Sequence, residues 1–503
     1  MAMNSVPLFA ARPRGPRAAP LRPLPAALAL AAAAAVLSAC GDESGFDPAS
    51  AYGRLAPDVT VAGVSIFQSV EVPLWTAGAE RTELNAVVVA GKAATVVVYL
   101  EPAAGYDGRE LTVALALDRG AGTTWQRTTF VPAGPSSLDR PESVVEFDLP
   151  AEQLEADGDL SLAVAVVDPL APIVPVGTPH PARYPADGSL RAVPLGRAPD
   201  PVRLVLIPIR YARDGNEYLP DTSPEQIELY RRTLLAVYPA VAWDIVLHDE
   251  LYWDRPMGWS GFDFTALNNF VSDLKASEDD IPQAHYYSLV APAASFAAYC
   301  TPACVAGQSF LVTDPWMSDL RVGAGVGFTG EASAWTMAHE LGHVFGRGHS
   351  GCGVPRDDRE FPYTAGNIGV WGRDPRDGDY LAPATADFMG YCTPVWVADF
   401  TWNRLFRRLE ELATLRAKTT LDRYRILRID LDAGLSTWGA ETSFRPAAST
   451  ATVPARFAGD DGVVAADLPV AWQSDLRHAA VLVPADLAPR LLDLSGLAAA
   501  PVR

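Results

Sequence analysis

Three histidines stand in the stretch His339-Glu-Leu-Gly-His-Val-Phe-Gly-Arg-Gly-His349. On a helix, residues four apart lie one turn apart on the same face, so His339 and His343 can offer two imidazoles to one metal ion. Glu340 lies beside them, where its carboxylate can reach a water on that metal. Gly346 can end the helix, because glycine enters the left-handed conformation at little cost. The turned chain can then bring in His349 as a third ligand. Three imidazoles suit Zn2+ and leave its fourth position open, which marks a catalytic rather than a structural zinc site. Such a zinc polarises a carbonyl and acidifies its water. Glu340 would take the water's proton and pass it to a leaving amine. The competing reading is a satisfied helical histidine cluster without metal. A bare H-E-x-x-H arises by chance, but an eleven-residue pattern matched at five positions, in a chain with seven histidines, is far more specific.

With these residues, the chain resembles the metzincin clan of zinc peptidases, whose pattern is H-E-x-x-H-x-x-G-x-x-H followed by a Met-turn. The resemblance covers about residues 202–400 and is specific over 335–392. A matching methionine lies in Asp387-Phe-Met-Gly-Tyr-Cys392, and the resemblance implies that Met389 forms an apolar floor beneath the zinc. Tyr391 matches the Met-x-Tyr of the astacin-like and serralysin-like branches. That implies a zinc ligand or a partner for the tetrahedral intermediate; the alternative is a packed core tyrosine. If His349 and the Met-turn meet beneath one zinc, Cys352 and Cys392, each three residues beyond them, become neighbours and can form a disulfide. An extra thiolate ligand is the alternative. Cys300 and Cys304 would then pair across Thr-Pro-Ala. The strand before the active helix, about Leu320 to Phe328 with Arg321, Gly323, Gly325 and Gly327, resembles the clan's edge strand, which can bind an extended substrate by main-chain pairing. Such glycines more often mark a loop.

The elements that must hold these residues are legible in outline. Residues 57–170 alternate with period two: Leu111, Val113, Leu115 and Leu117 share one face, and Gly, Pro and Asp separate similar short runs. The pattern predicts a β-sandwich. Residues 171–201 are Pro-rich, hence a stiff linker or an extended edge segment. From Val202 strands alternate with helices, which predicts a central α/β domain over 202–418. Ser223 caps a helix opened by Pro224, and Trp402, Leu405, Phe406, Leu409 and Leu412 form the apolar stripe of a helix over 402–415. Residues 419–503 read as a small C-terminal β-rich domain. The fold class expected is multidomain α+β.

The compartment is readable at the start of the chain. Residues 1–39 carry Arg12, Arg14, Arg17 and Arg22, no acidic residue, and an apolar run from Ala26 to Leu37. This is the form of an export signal. Its Leu-Ser-Ala-Cys40 ending resembles the bacterial lipobox, which implies lipidation of Cys40 and a tether over 40–56; an ordinary signal with an incidental cysteine is the alternative. The chain is thus expected to be exported and anchored to a bacterial membrane, outer membrane or cell surface, with no other membrane contact. Gly41 lacks the acidic character associated with inner-membrane retention. Apart from Cys40 four cysteines remain, an even number that reads as two disulfides outside the cytoplasm. The 503 residues include 40 basic and 60 acidic ones. Such an acidic chain repels polyanions, so nucleic acid is not an expected partner. Asp357, Asp358, Asp374, Asp377 and Asp379 cluster in sequence and could attract calcium, although their spacing is not that of an EF-hand and a solvated loop competes.

The expected partner is therefore a protein or glycoprotein substrate outside the cytoplasm. The combination of lipobox, β-domain and zinc core also resembles large bacterial lipoprotein peptidases of the mucin-degrading type. The rivals are a catalytically silent zinc-containing surface lipoprotein acting in binding or adhesion, a metal-free surface protein, and a non-peptidase hydrolase using the same zinc.

Overall fold

A computed structural model of the chain describes residues 52–494 apart from 77, 121, 156–159, 199–200, 214, 257–263, 279–282, 416–420 and 448–449. The expected export signal, Cys40 and nearly all of the tether lie outside the described residues. The fold is a mixed α+β architecture, with antiparallel sheets first, a large mixed sheet with helices in the middle, and further strands at the end.

The alternating N-terminal segment forms two antiparallel sheets. In the first, β1 (Val59–Gln68) lies between β2 (Val70–Thr76) and β3 (Ala94–Pro102). The second is built on β4 (Leu111–Asp118), flanked by β5 (Thr123–Phe130) and by β7 (Leu160–Val167), while β6 (Val145–Leu149) extends the first sheet beside β3. Leu111, Val113, Leu115 and Leu117 are all buried, as period two demands of one face. The Pro-rich stretch runs along the edge of the second sheet, where Arg183–Tyr184 and Arg191–Val193 pair with β7. Proline is compatible with an edge because no ladder bond is asked of it on the open side.

The central sheet starts with β8 (Val202–Arg213). Helix α1 (Pro224–Val237) follows, capped by Ser223 Oγ, which accepts the Gln226 N–H at 3.3 Å. Then come β9 (Trp243–Leu247), α2 (Phe264–Ser277), β10 (His285–Val290), β11 (Gly307–Leu311), β12 (Val322–Val326) and α3 (Glu331–Val344). Strands β8, β10 and β12 run parallel, and β11 pairs antiparallel with β12. One expectation is overturned here. The strand that precedes α3 is β12, and it lies between β10 and β11 rather than at an edge. Its glycines serve close packing: a Cβ on Gly325 would lie 2.1 Å from the Tyr287 hydroxyl oxygen. Arg321 is fully buried and bonds the Pro315 carbonyl.

Helix α4 (Asp399–Ala413) buries its predicted stripe against the N-terminal sheets, with Trp402 Nε1 donating to Val87 O at 3.1 Å. Two further ties cross the same boundary. Half-buried Lys92 donates to the Leu235 carbonyl at 2.6 Å, and Val70 of β2 pairs with Gly372, one arm of a hairpin formed by Gly372–Arg373 and Tyr380–Leu381. One continuous apolar core runs through both sandwich sheets and α1, α3 and α4.

The last strands are β13 (Asp422–Asp430), β14 (Leu435–Phe444), β15 (Thr452–Gly459), β16 (Gly462–Gln473), β17 (His478–Pro484) and β18 (Leu491–Leu494). They have an apolar core of their own. They also continue the central sheet, because β16 pairs antiparallel with β11 at Phe310↔Gln473 and Leu311↔Trp472. Among the described residues no helix is long and apolar enough to cross a membrane.

Candidate metal centre

Every residue of α3 from Ser333 to Val344 is buried. His339 and His343 face the same way, with their rings 4.8 Å apart between centroids and their Nε2 atoms 3.2 Å apart. Gly346 adopts φ 82°, and its N–H bonds the His343 carbonyl at 2.7 Å, so the helix ends where the sequence requires. His349 then turns back, and one ligand atom from each of the three rings falls within 4.8 Å of the other two.

The remaining ring nitrogens are all spoken for. His339 Nδ1 meets the Phe388 carbonyl at 2.7 Å, and His343 Nδ1 meets the Arg347 carbonyl at 2.6 Å. A carbonyl only accepts, so both Nδ1 atoms carry the proton and both Nε2 atoms present bare lone pairs. His349 Nδ1 lies 3.0 Å from Asp357 Oδ2, and the same carboxylate accepts the His349 backbone N–H. Burial lowers the pKa of His339 to about 3 and that of His343 well below its ordinary value, so both stay neutral, the form that binds metal. Two buried lone pairs 3.2 Å apart with no proton between them call for a cation. The spacing fits zinc, since two nitrogens at ~2.05 Å from a tetrahedral ion lie about 3.3 Å apart. The donor set therefore suits the ion that the sequence pattern suggested.

The floor and rim come from the Met-turn. Met389 is 1% exposed, and a Cβ on Gly342 would lie 2.2 Å from its sulfur, so glycine in mid-helix lets α3 settle on the methionine. Asp387 organises this turn: its carboxylate accepts from Met389 N, Ala398 N and Thr401 Oγ, each at 2.9 Å. Burial raises its pKa to about 6. The turn is stitched to the His349 segment by Ser350 N to Met389 O at 3.1 Å and Tyr391 N to Cys352 O at 2.6 Å. The Cys352–Cys392 disulfide closes the same seam, with Cα atoms 5.5 Å apart. Cys300–Cys304 forms the second disulfide. The Tyr391 hydroxyl lies 3.3 Å from His349 Nε2, on the side where the three lone pairs converge, and burial holds its pKa well above the ordinary phenol value.

Glu340 points from α3 toward β11. Its Oε2 receives the Ser309 hydroxyl at 2.7 Å, and the same hydroxyl lies 2.9 Å from the Glu340 carbonyl oxygen. Burial raises the Glu340 pKa to about 8, and the Ser309 bond opposes that rise. Gly307 makes room, since a Cβ there would lie 2.9 Å from Glu340 Oε1.

His339, His343, His349, Glu340, Met389, Tyr391 and the Cys352–Cys392 pair thus come together. The acidic segment does not: Asp357 serves His349, Asp358 pairs with Arg347 at 3.3 Å, and Asp374 pairs with Arg376 at 2.7 Å. Among the described residues the histidine triad is the one group of three or more His, Cys, Asp or Glu side chains placed to hold a metal ion. Sequence reasoning missed Asp357 as the partner of His349, Ser309 as the partner of Glu340, and Asp387 as the anchor of the Met-turn. Asp357 lay inside the acidic segment already noticed, but no fixed spacing singled it out. No family model matches any part of this chain, and no curated protein matches it.

Proposed function

We propose that the protein is a zinc-dependent endopeptidase acting on extracytoplasmic proteins or glycoproteins. The observation that carries this reading is the convergence of three imidazole nitrogens, two of them 3.2 Å apart with no proton between them, beside a buried carboxylate. A zinc ion bound there supplies Lewis acidity toward a carbonyl and makes water a better nucleophile at neutral pH. Glu340, oriented by Ser309, would accept the proton of the attacking water and deliver it to the departing amine. Its raised pKa favours delivery, and a nearby cation would pull that value back toward the ionised form needed for acceptance. The Tyr391 hydroxyl can donate to the oxygen that gains negative charge. Asp357, Phe388 O and Arg347 O hold the imidazoles in the tautomer that keeps Nε2 free.

The two disulfides support work in an oxidising compartment. We further propose lipidation at Cys40 as the anchor, which mass spectrometry of the membrane-extracted protein would test.

The central test compares wild type with Glu340→Gln, each loaded with zinc, on denatured proteins, glycoproteins and a peptide library. Zinc should bind stoichiometrically to both forms, and turnover should drop by at least about 100-fold in the variant, the scale of a lost general base. Stoichiometric zinc with both forms equally inert would exclude the peptidase reading and favour a silent zinc-containing surface protein.

A further inference from the structure

The outer edge of β11 is where a substrate chain would lie against Glu340, and it is only partly open. In the pairing of β11 with β12, Ala306 O accepts from Val326 N, so residues 306 and 308 bond inward while 307 and 309 face outward. At Ser309 the outward groups are taken: its carbonyl accepts Ser474 N at 2.8 Å, and its N–H meets Ser474 Oγ at 3.3 Å. Ser474 opens the turn between β16 and β17, so the hairpin tip 474–477 stands one rung beyond Gly307. The tip is pinned from below. Buried Gln308 sends its side-chain amide to Asp475 Oδ2 and to Gln473 Oε1, each at 2.9 Å. In the other direction the edge is open at Gly307, while the carbonyl of Val305 accepts the Tyr299 hydroxyl at 2.8 Å. Gly307 N–H and C=O have no partner among the described residues, and Val305, 43% exposed, precedes it in a stretch braced by the Cys300–Cys304 disulfide.

We infer that the C-terminal domain ends the substrate cleft on one side, so that peptides are recognised mainly through residues following the scissile bond. This rests on the peptidase reading above. A strand added to β11 antiparallel, the hand of both its present pairings, runs opposite to Gly307–Leu311. Its N-terminal end therefore meets Ser474. The Glu340 carboxylate spans the level of Gly307 and Ser309. At a rise of about 3.4 Å per residue, at most about two residues before the scissile bond fit short of the tip, and Ser309, already paired with Ser474, offers them no free main-chain group. A longer N-terminal side must bend away and gains nothing from the edge. The C-terminal side can pair with Gly307 and lie along Val305.

The test uses the full zinc-loaded chain and two ladders of peptides around one cleavable bond, lengthened from one to about six residues on either side. Expected is a plateau of kcat/KM after about two N-terminal residues, against a rise of about tenfold over the same lengthening on the C-terminal side, the size of one or two net hydrogen bonds. Replacing the tip 474–477 by a two-residue turn should let N-terminal lengthening raise kcat/KM by a similar factor. If that variant loses zinc or a cooperative melt, Gln308→Ala, which unpins the tip, provides the same reading. A continuing N-terminal rise in wild type, or a plateau that persists in a folded variant, overturns the inference alone. A plateau on the C-terminal side instead overturns the antiparallel assignment and the inference with it. Failure to cleave any peptide with zinc bound removes the peptidase reading itself.

Discussion

Asp357 is the most informative residue to perturb, because it acts on the metal only through His349. Its carboxylate accepts two bonds from one histidine, the backbone N–H and, at 3.0 Å, Nδ1–H. The site is tight: a Cβ on neighbouring Gly348 would lie 2.3 Å from Asp357 Oδ1. Asp357→Ala removes both acceptors, leaving the ring free to rotate and its Nδ1 proton unanchored. Loss of such an outer partner costs 10- to 100-fold in metal affinity, and the doubled bond argues for the upper end, about 2.7 kcal/mol. Asp357→Asn keeps one neutral acceptor and the shape, so about tenfold is expected. Asp358→Asn is the control, since it breaks only an ion pair with Arg347 at 3.3 Å and should leave zinc affinity within about twofold. Competition against a chromogenic chelator at constant pH gives all three affinities. If Asp357→Ala binds zinc as tightly as wild type, the argument that this carboxylate fixes the His349 tautomer is refuted.

Two further outcomes follow from packing and burial. Gly342→Ala should destabilise the protein by about 1–3 kcal/mol in urea unfolding, because the new methyl meets the Met389 sulfur at 2.2 Å; the ordinary helix gain of about 1 kcal/mol would appear instead if the methionine does not underlie α3. Lys92 is half-buried, and desolvation of its ammonium lowers its pKa from 10.5 to about 8. A base whose folded pKa is depressed loses its proton earlier in the folded chain than in the unfolded one, so its contribution to stability rises from pH 8 to pH 10.5, by roughly 3 kcal/mol at most. The stability difference between wild type and Lys92→Met should grow in favour of wild type over that range, and a flat difference would show the amine is not desolvated.

The histidine motif was legible because its geometry is local: spacing on one helix and one glycine turn bring in all three rings. The Met-turn and the Cys352–Cys392 pair could be placed from the clan resemblance, since both follow once His349 and Met389 share a site. What was not legible depends on backbone pairing between distant segments. Ser309 reaches Glu340 because β11 happens to lie over α3, and a serine in Gly-Gln-Ser-Phe-Leu carries no sign of that. The edge was assigned to the wrong strand for the same reason. Gly323 and Gly325 suggested an open strand, but they are small to admit the Tyr287 and Ser309 side chains. The joining of β16 to β11 is made by main-chain groups that every residue possesses, so sequence composition could not announce it. The alternation of the C-terminal strands, by contrast, places one set of their residues in a core of their own and another, including Ile426, Ala480 and Leu482, against the central sheet.

The hairpin 372–381 bears on how such a protein could be made safely. It lies between His349 and Met389, yet its partners belong to the beginning of the chain: Val70 pairs with Gly372, Ser69 O accepts from Arg373 N at 3.0 Å and from Trp396 Nε1 at 2.8 Å, and Glu146 binds Arg373 at 2.9 Å and Tyr380 at 2.6 Å. A chain emerging N-terminus first therefore presents the waiting edge of β2 well before the hairpin that completes it. Removal of the first sheets by proteolysis would strip the hairpin of its partners at Val70, Ser69 and Glu146, so they are ill suited to serve as a discarded prosegment. The histidine site cannot be lifted out as a module, because the segment between its third histidine and Met389 is paired to the first sheet.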